Sequence, residues 1–467
     1  MALAVGCSRQ SNMPRGILVL PYVENLGSNH VVISWETKTP CRGALEFHSG
    51  ADTMLVQEAT SQSFHRVALS NLQSGVAYQY RLAVSNQPLS TVRTFSPDRA
   101  AYSFIVFGDN RKFVRTFERV VKAISPHPAD FALHTGDCVT KGTTLPQWQR
   151  EWFTPARPML EQYPVLISWG NHEEPWKTNS GVHRYYPAHS PLWGNAYYAF
   201  QHGPVLFVTL NPYEPTNDKS EQYIWLEHTL ASNTLPYVVV FTHPSAMTGS
   251  EHAYDADTKT IRTMFVPLFV RHHVTVCFSA HDHMYARGEY GGVSFVTTAG
   301  AGAPFHKMDK VLHPFIQHQT NCYHYVVMDV SAQALSGSVY TVDGDIIDRC
   351  AFRPARQPAP PPADAVATFE PSALYPGTGS FTWVINVSSF VSHCVTGMVT
   401  VSPSAAWSVE PAPPFIFTVP PHKTRHTLTF RALPTTVSPK QPLDVSVCLG
   451  MITNNMHLIL PCHQKTP

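Results

Sequence analysis

Apolar and polar positions alternate with period two near the start of the chain. Val31, Ile33 and Trp35 fall on one face of a strand, and Tyr78, Tyr80, Leu82 and Val84 repeat the pattern. From Ala101 the period changes. Residues 103–107 form an apolar run, and Phe113, Phe117, Val120, Val121 and Ile124 then recur at helical spacing. Runs at 131–133, 165–168, 205–210, 238–241 and 274–278 predict further strands, and 220–230 and 260–272 predict helices. Strands alternating with helices predict an α/β unit. Beyond residue 366 no helical period returns. Prolines are frequent there, and short alternating runs such as 427–430 predict strands.

This pattern divides the chain into an N-terminal tail (1–14), an all-β unit (15–98), an α/β unit (99–353), a stiff proline-rich linker (354–365) and a C-terminal β-sandwich (366–467). The expected fold is therefore multidomain, a central α/β sandwich flanked by two all-β sandwiches. The 467 residues and 43% apolar content support several packed cores.

A formal net charge of +1 without a basic block gives no electrostatic footprint for nucleic acid or a membrane surface. No apolar run reaches transmembrane length. Nine cysteines contain no CxxC pair, so neither a zinc ribbon nor a thioredoxin-like motif is signalled. The opening MALAVGC has two readings, the end of a bacterial lipoprotein signal with Cys7 lipidated, or an incidental cysteine. The first reading expects an exported protein whose membrane contact comes only through Cys7. Under export, Cys394 with Cys448 and Cys322 with Cys350 are candidate disulfides.

The chemistry lies at the ends of the predicted strands. After Phe107 come Gly108, Asp109 and Arg111. After Leu133 come Gly136 and Asp137, and after Ser168 come Gly170, Asn171, His172 and Glu173. Phe241 is followed by Thr242 and His243, and Phe278 by His281 and His283. In an open α/β sheet the carboxyl ends of strands gather on one edge, where ligands bind. Asp137 follows Asp109 by 28 positions, about one βαβ unit, so the two carboxylates reach neighbouring loops. Singly, each motif has an ordinary explanation: a helix cap for either aspartate, a turn for Asn171, a loop histidine for His243 or His252, a surface charge for Arg111. Jointly, two carboxylates, an amide and three imidazoles form a donor set suited to Zn, Mn or Fe.

The motifs GD, GD, GNHE, TH and HDH, in this order, resemble the calcineurin-like metallophosphoesterase superfamily. Together with the N-terminal β unit they resemble its purple acid phosphatase branch. The stretch LQSGVAY ending at Tyr78 resembles the tyrosine corner of a fibronectin type III-like module. The resemblance spans about residues 15–350. It implies two divalent or trivalent ions, the first on Asp109 and His283, the second on Asn171, His243 and His281, with Asp137 bridging. It further implies that a hydroxide held between the ions attacks the phosphorus of a phosphate-ester substrate. His172 would stabilise the transition state without ligating metal, oriented by Glu173, and His252 would face substrate from a loop. Phosphomonoesters are the substrate implied first, with phosphodiesters or pyrophosphates as the alternative. A non-catalytic surface module on a degenerate metal scaffold is the reading from a different class.

Three positions depart from the family pattern. Arg111 stands where many relatives have histidine, Thr140 where the purple enzymes have tyrosine, and Ala280 where they have glycine. Guanidinium stays protonated and cannot ligate, so Arg111 is expected to grip a phosphate oxygen pair. Without a tyrosinate the protein is expected to be colourless.

Overall fold

The computed structural model describes residues 16–50, 52–83, 89–186, 196–308 and 316–354, and the C-terminal strands between 365 and 458. Cys7, residues 355–364, Val84 and Cys394 lie outside the described residues, and with them the tail, most of the linker and the candidate disulfide between Cys394 and Cys448. Cys322 and Cys350 are both free thiols, and the disulfide considered between them does not form. Cys350 instead directs its sulfur to the carbonyl of Gly337.

Residues 101–352 build two mixed sheets. One has six strands in the order Val165–Ile167, Phe131–His134, Ala101–Phe107, His324–Ser331, Leu335–Thr341 and Ile346–Phe352. Its first three strands run parallel and the rest antiparallel. The other has seven, in the order Tyr198–His202, Val205–Thr209, Tyr237–Pro244, Val276–Ala280, Val293–Thr298, Tyr285–Tyr290 and Ile316–Thr320, with four adjacent parallel strands from Val205–Thr209 to Val293–Thr298.

Successive side chains of a strand point to opposite faces, and strands covered on both faces read as continuous apolar runs. Phe104, Val106, Phe131 and Leu133 meet Phe207, Val239, Phe241, Val276 and Phe278 between the two sheets. Their neighbours Ile105, Phe107, Ala132, Val165 and Ile167 pack outward against Phe117, Val120, Val121 and Ile124 of the helix Val114–Ile124. On the far side Val208, Val238, Val240 and Cys277 pack against Leu226, Leu230, Ile261, Phe265 and Leu268. The result is helix, sheet, sheet, helix, with one core between the sheets and one under each helical layer.

Two helices differ from the expectation. Phe113 shares the helical spacing but sits at the N-cap and is 41% exposed. The expected helix over 260–272 is three pieces, Ala256–Thr260, the π-helical turn Ile261–Phe265 and Val266–Arg271. Pro267 has no N–H to continue an α-helical ladder, and the wider turn precedes it. The helix Glu221–Ala231 starts as its sequence indicates, with the Ser220 side chain accepting the Tyr223 N–H.

The N-terminal region forms a three-stranded sheet (Ile17–Leu26, Val31–Cys41, Gln62–Leu69) and a four-stranded sheet (Asp52–Gln57, Ala44–Ser49, Ala77–Leu82, Ser90–Arg93). Val31, Ile33, Trp35, Leu45, Phe47, Tyr78, Tyr80 and Leu82 are buried together. The Tyr78 hydroxyl accepts the backbone N–H of Gln73 at 2.8 Å, the bond that a tyrosine corner makes. This region is tied to the α/β unit by polar contacts. The Tyr22 hydroxyl donates to the Tyr185 carbonyl at 2.6 Å, and Glu36 accepts from both Arg184 and the Tyr185 hydroxyl. The described strands between 365 and 458 form two further four-stranded antiparallel sheets. Among the described residues no helix is long and apolar enough to cross a membrane.

Candidate metal centre

The carboxyl ends of the parallel strands converge on one edge and carry their polar residues with them. Asp109, Asp137, His243 and His283 are buried, and Asn171 and His281 are nearly so. Asp109, Asp137 and His281 adopt left-handed backbone conformations, with φ of 56°, 62° and 68°. Such conformations cost about 1–3 kcal/mol each for residues with a side chain and persist where the surroundings impose them. Gly136, at φ 101°, lets this crowding occur, since a Cβ there would lie 2.6 Å from His243 Nδ1 and 2.9 Å from the Gly170 nitrogen.

Asn171 Oδ1 lies 3.1 Å from His243 Nε2 and 3.2 Å from His281 Nδ1. Asp137 Oδ1 is 3.4 Å from His243 Nε2 and also accepts the backbone N–H of His172 at 2.9 Å. Nδ1 of His243 donates to the carbonyl of Thr135 at 2.8 Å, which leaves Nε2 as the free donor atom. Asp109 Oδ2 accepts the His281 N–H at 2.9 Å, while its buried Oδ1 makes no hydrogen bond. Asp109, Asp137 and His243 each offer a ligand atom within 4.8 Å of the others. Burial by itself would lower the His243 pKa, but the carboxylates of Asp137 and Asp109 outweigh it and raise it. Burial would likewise raise the Asp137 pKa, but the positive partners His243, His172 and Arg111 together outweigh it and lower it. A buried carboxylate oxygen without a hydrogen bond, beside a second carboxylate and imidazole and amide donors, fits a hard or borderline cation.

Arg111 lies on the ligand atoms themselves. Its Nε donates to Asp137 Oδ2 at 3.0 Å and one terminal nitrogen is 3.2 Å from His283 Nε2, with the side chain only 12% exposed. His283 Nε2 is also 3.1 Å from Asp109 Oδ1, and its Nδ1 donates to the Pro304 carbonyl at 2.6 Å, so Nε2 and Oδ1 face each other as two acceptors. The donor set expected for a first ion is thus already engaged by a guanidinium. Thr140 points elsewhere, giving both its N–H and its hydroxyl to Glu151 Oε2 at 2.7 and 2.8 Å. The methyl of Ala280 is fully buried and accommodated.

His172 is placed beside the centre and outside it. Its Nδ1 donates to the Thr140 carbonyl at 2.7 Å, its Nε2 is 4.0 Å from Asp137 Oδ2, and its side chain is 30% exposed. Glu173 does not orient it. Glu173 is fully buried and accepts the backbone N–H groups of Asp137, Gly170 and Cys138 at 2.9, 2.7 and 2.6 Å. Adjacent residues of a tight turn point apart, so the carboxylate serves the loops rather than the neighbouring imidazole. Burial and the charge of Asp137 push the Glu173 pKa up to about 7.

His252 lies at the rim. Its Nδ1 is 2.6 Å from Asp255 Oδ2, and its ring is 4.9 Å from that of His281. Asp255 also approaches His281 Nε2 at 3.6 Å. Two histidines outside the expected donor set, His306 and His134, join the site. The ring of His306 stacks on His283 at 3.8 Å and lies 4.2 Å from His252, and its Nδ1 accepts the His283 N–H at 3.2 Å. It comes from the loop after Val293–Thr298, a sixth strand end on the same edge, whose backbone packs on the Asp109 loop through Ala303 N–H and the Asp109 carbonyl at 2.8 Å. The run TTAGAGAPFH at 297–306 is the sequence signal for it. His134 is fully buried, donates from Nε2 to Asn110 Oδ1 at 2.7 Å and accepts the Gly136 N–H at Nδ1, so it fastens the first motif loop to the second. Burial drives its pKa down to about 3, consistent with a neutral ring in that dual role.

The family model described as calcineurin-like phosphoesterase matches residues 102–285. The chain is 28% identical over 239 residues to purple acid phosphatase 22 of Arabidopsis thaliana, covering 49% of this chain and 54% of that protein. It is 26% identical over 249 residues to serine/threonine-protein phosphatase CPPED1 of Bos taurus, covering 49% and 74%. It thus spans about half the length of the first plant relatives it matches. The solved purple acid phosphatase PPD1 of yellow lupin (Lupinus luteus) superimposes with a TM-score of 0.58 at 14% identity, over 71% of this chain and 74% of that one, a likeness of fold.

Proposed function

We propose that this chain, which belongs to the calcineurin-like phosphoesterase superfamily and its purple acid phosphatase-like branch, hydrolyses phosphomonoesters with the help of bound metal. The observation that carries the reading is the Oδ1 of Asp109, a buried carboxylate oxygen without a hydrogen bond, facing donor atoms brought in from separate strand ends. Asp137, Asn171, His243 and His281, with Asp109, would hold the ion. When bound, it supplies Lewis acidity and an acidified water near neutral pH.

The chain's own residues supply the rest. Thr135 fixes the His243 ring so that Nε2 faces inward. Thr140 fixes His172 through Nδ1, which leaves Nε2 toward substrate, where the ring in its doubly protonated form donates to a phosphoryl or leaving oxygen. His252, held by Asp255 at the rim, stands where a leaving alkoxide departs and can return its proton. Thr140, turned to Glu151, supplies no phenolate at the position of the family's tyrosine, and the protein is expected to be colourless.

The N-terminal sheets form a fibronectin type III-like module with Tyr78 as its corner, and the C-terminal sheets a β-sandwich. Export rests on the stretch ending at Cys7 alone, and labelling with a fatty-acid precursor tests it.

The test of function is hydrolysis of para-nitrophenyl phosphate against its bis-ester, with Mn, Zn and Fe supplied in turn. Faster cleavage of the monoester supports the proposal. Faster cleavage of the bis-ester moves the assignment to a phosphodiesterase. Neither activity nor bound metal would leave a non-catalytic scaffold.

A further inference from the structure

We propose that the guanidinium of Arg111 takes the place of one cation, so that this centre holds a single metal ion. The inference rests on the metal-dependent reading above and narrows it. A first ion would need Asp137 Oδ2 and His283 Nε2 together with Asp109. Arg111 donates to the first of these at 3.0 Å and reaches the second at 3.2 Å. A ligand-bound ion sits about 2.0–2.2 Å from each donor atom, and the two Arg111 nitrogens, 3.0 and 3.2 Å from those atoms, direct their N–H bonds into that space.

The tautomer of His283 agrees. With Nδ1 donating to the Pro304 carbonyl, Nε2 presents a lone pair, and the adjacent Arg111 N–H takes it up. Guanidinium keeps its charge at any working pH, so the positive charge here is permanent and covalently attached. A second ion would have to enter against it in a buried pocket, where like charges repel strongly. Thr140, at the position of the family's tyrosine, offers no replacement ligand, because it is committed to Glu151. What remains is a site for one ion. The Asp109, Asp137 and His243 ligand atoms form one compact group, and Asn171 Oδ1 touches both His243 and His281.

The centre then presents one divalent ion and one fixed guanidinium to a phosphate, two positive groups of unlike kind. Loss of metal removes only one of them.

The experiment loads the metal-free full chain with Mn2+ and counts bound ions by elemental analysis after equilibrium dialysis. The electron paramagnetic resonance signal shows whether the ions are isolated or exchange-coupled. The same measurements are made on Arg111→His and Arg111→Ala. The expected result is one ion per chain with an isolated-ion signal in the wild type, and two ions with a coupled signal in Arg111→His. Two ions in the wild type overturn the inference while leaving the metal-dependent reading intact. One ion in the wild type and in both folded variants also overturns it, because Arg111 is then not what excludes the second. No bound ion in the wild type overturns the metal-dependent reading itself, and this inference with it. If neither variant folds, the wild-type count and signal decide.

Discussion

The carboxylate of Glu173 is joined to the backbone of Asp137, with Oε2 accepting the Asp137 N–H at 2.9 Å. The same oxygen accepts from Gly170, and Oε1 from Cys138. One side chain therefore sets the spacing between the second and third motif loops. Glu173→Gln would turn an NH2 group toward backbone N–H donors, leaving donors facing donors at a cost of about 1–3 kcal/mol. The expected outcome is weaker metal binding by roughly 10–100-fold, as for other residues that position ligands. Dialysis against graded metal concentrations measures it. A variant with unchanged metal affinity and only a lowered kcat would restore the idea that Glu173 serves His172.

That relationship marks where sequence reasoning stops. The donor set is legible because strand ends of a parallel sheet must gather on one edge, and the apolar runs locate the strands. The route from a residue to its partner is not legible. Glu173 sits beside His172 in sequence and points away from it, since a tight turn separates adjacent side chains. His306 lies after a strand that antiparallel neighbours on one side conceal among alternating residues, so its loop does not register as a strand end. Arg111 reads as a substrate grip because its fork suits phosphate, and it suits a carboxylate equally. Phe113 shares the helical spacing and lies at the exposed helix start, where period alone cannot fix a boundary.

His172 separates catalysis from metal binding. Its Nδ1 is used by Thr140 and its Nε2 stands 4.0 Å from Asp137, so it contributes no ligand. His172→Ala is expected to lower kcat by about 10²–10⁴-fold, the range of a positioned proton donor, with metal content unchanged. Elemental analysis beside steady-state kinetics checks both halves. Loss of metal from this variant would refute the role.

Asn171, Asp137 and His281 lie at the centre of the donor set. Alanine at any of them is expected to lower kcat by at least about 10³-fold, comparable to removing a principal electrostatic contributor. Chelation of the wild type should lower Tm by roughly 5–10 °C, from loss of about 2–3 kcal/mol of linked binding energy. Asp137→Ala should show little of that response. Differential scanning fluorimetry with and without chelator gives the comparison, and equal shifts in both proteins would count against this site as the metal-binding one.

His324, buried beyond the centre, links stability to acidity. Its Nδ1 donates to the Cys322 carbonyl at 2.9 Å, and its Nε2 is buried without a partner. Burial lowers its pKa to about 4. The unfolded chain, with an ordinary histidine, binds this proton more readily than the folded one. Stability from this group is therefore complete above about pH 6.5 and falls as pH drops toward about 4. Between pH 7 and pH 5 the loss is about 2 kcal/mol. His324→Gln keeps a group of similar size that cannot take up a proton. Its Tm is expected to fall less than that of the wild type over this interval, even where it starts lower at pH 7. Melting curves at half-unit steps of pH decide it. Parallel Tm profiles for the two proteins would place the acid sensitivity in other groups.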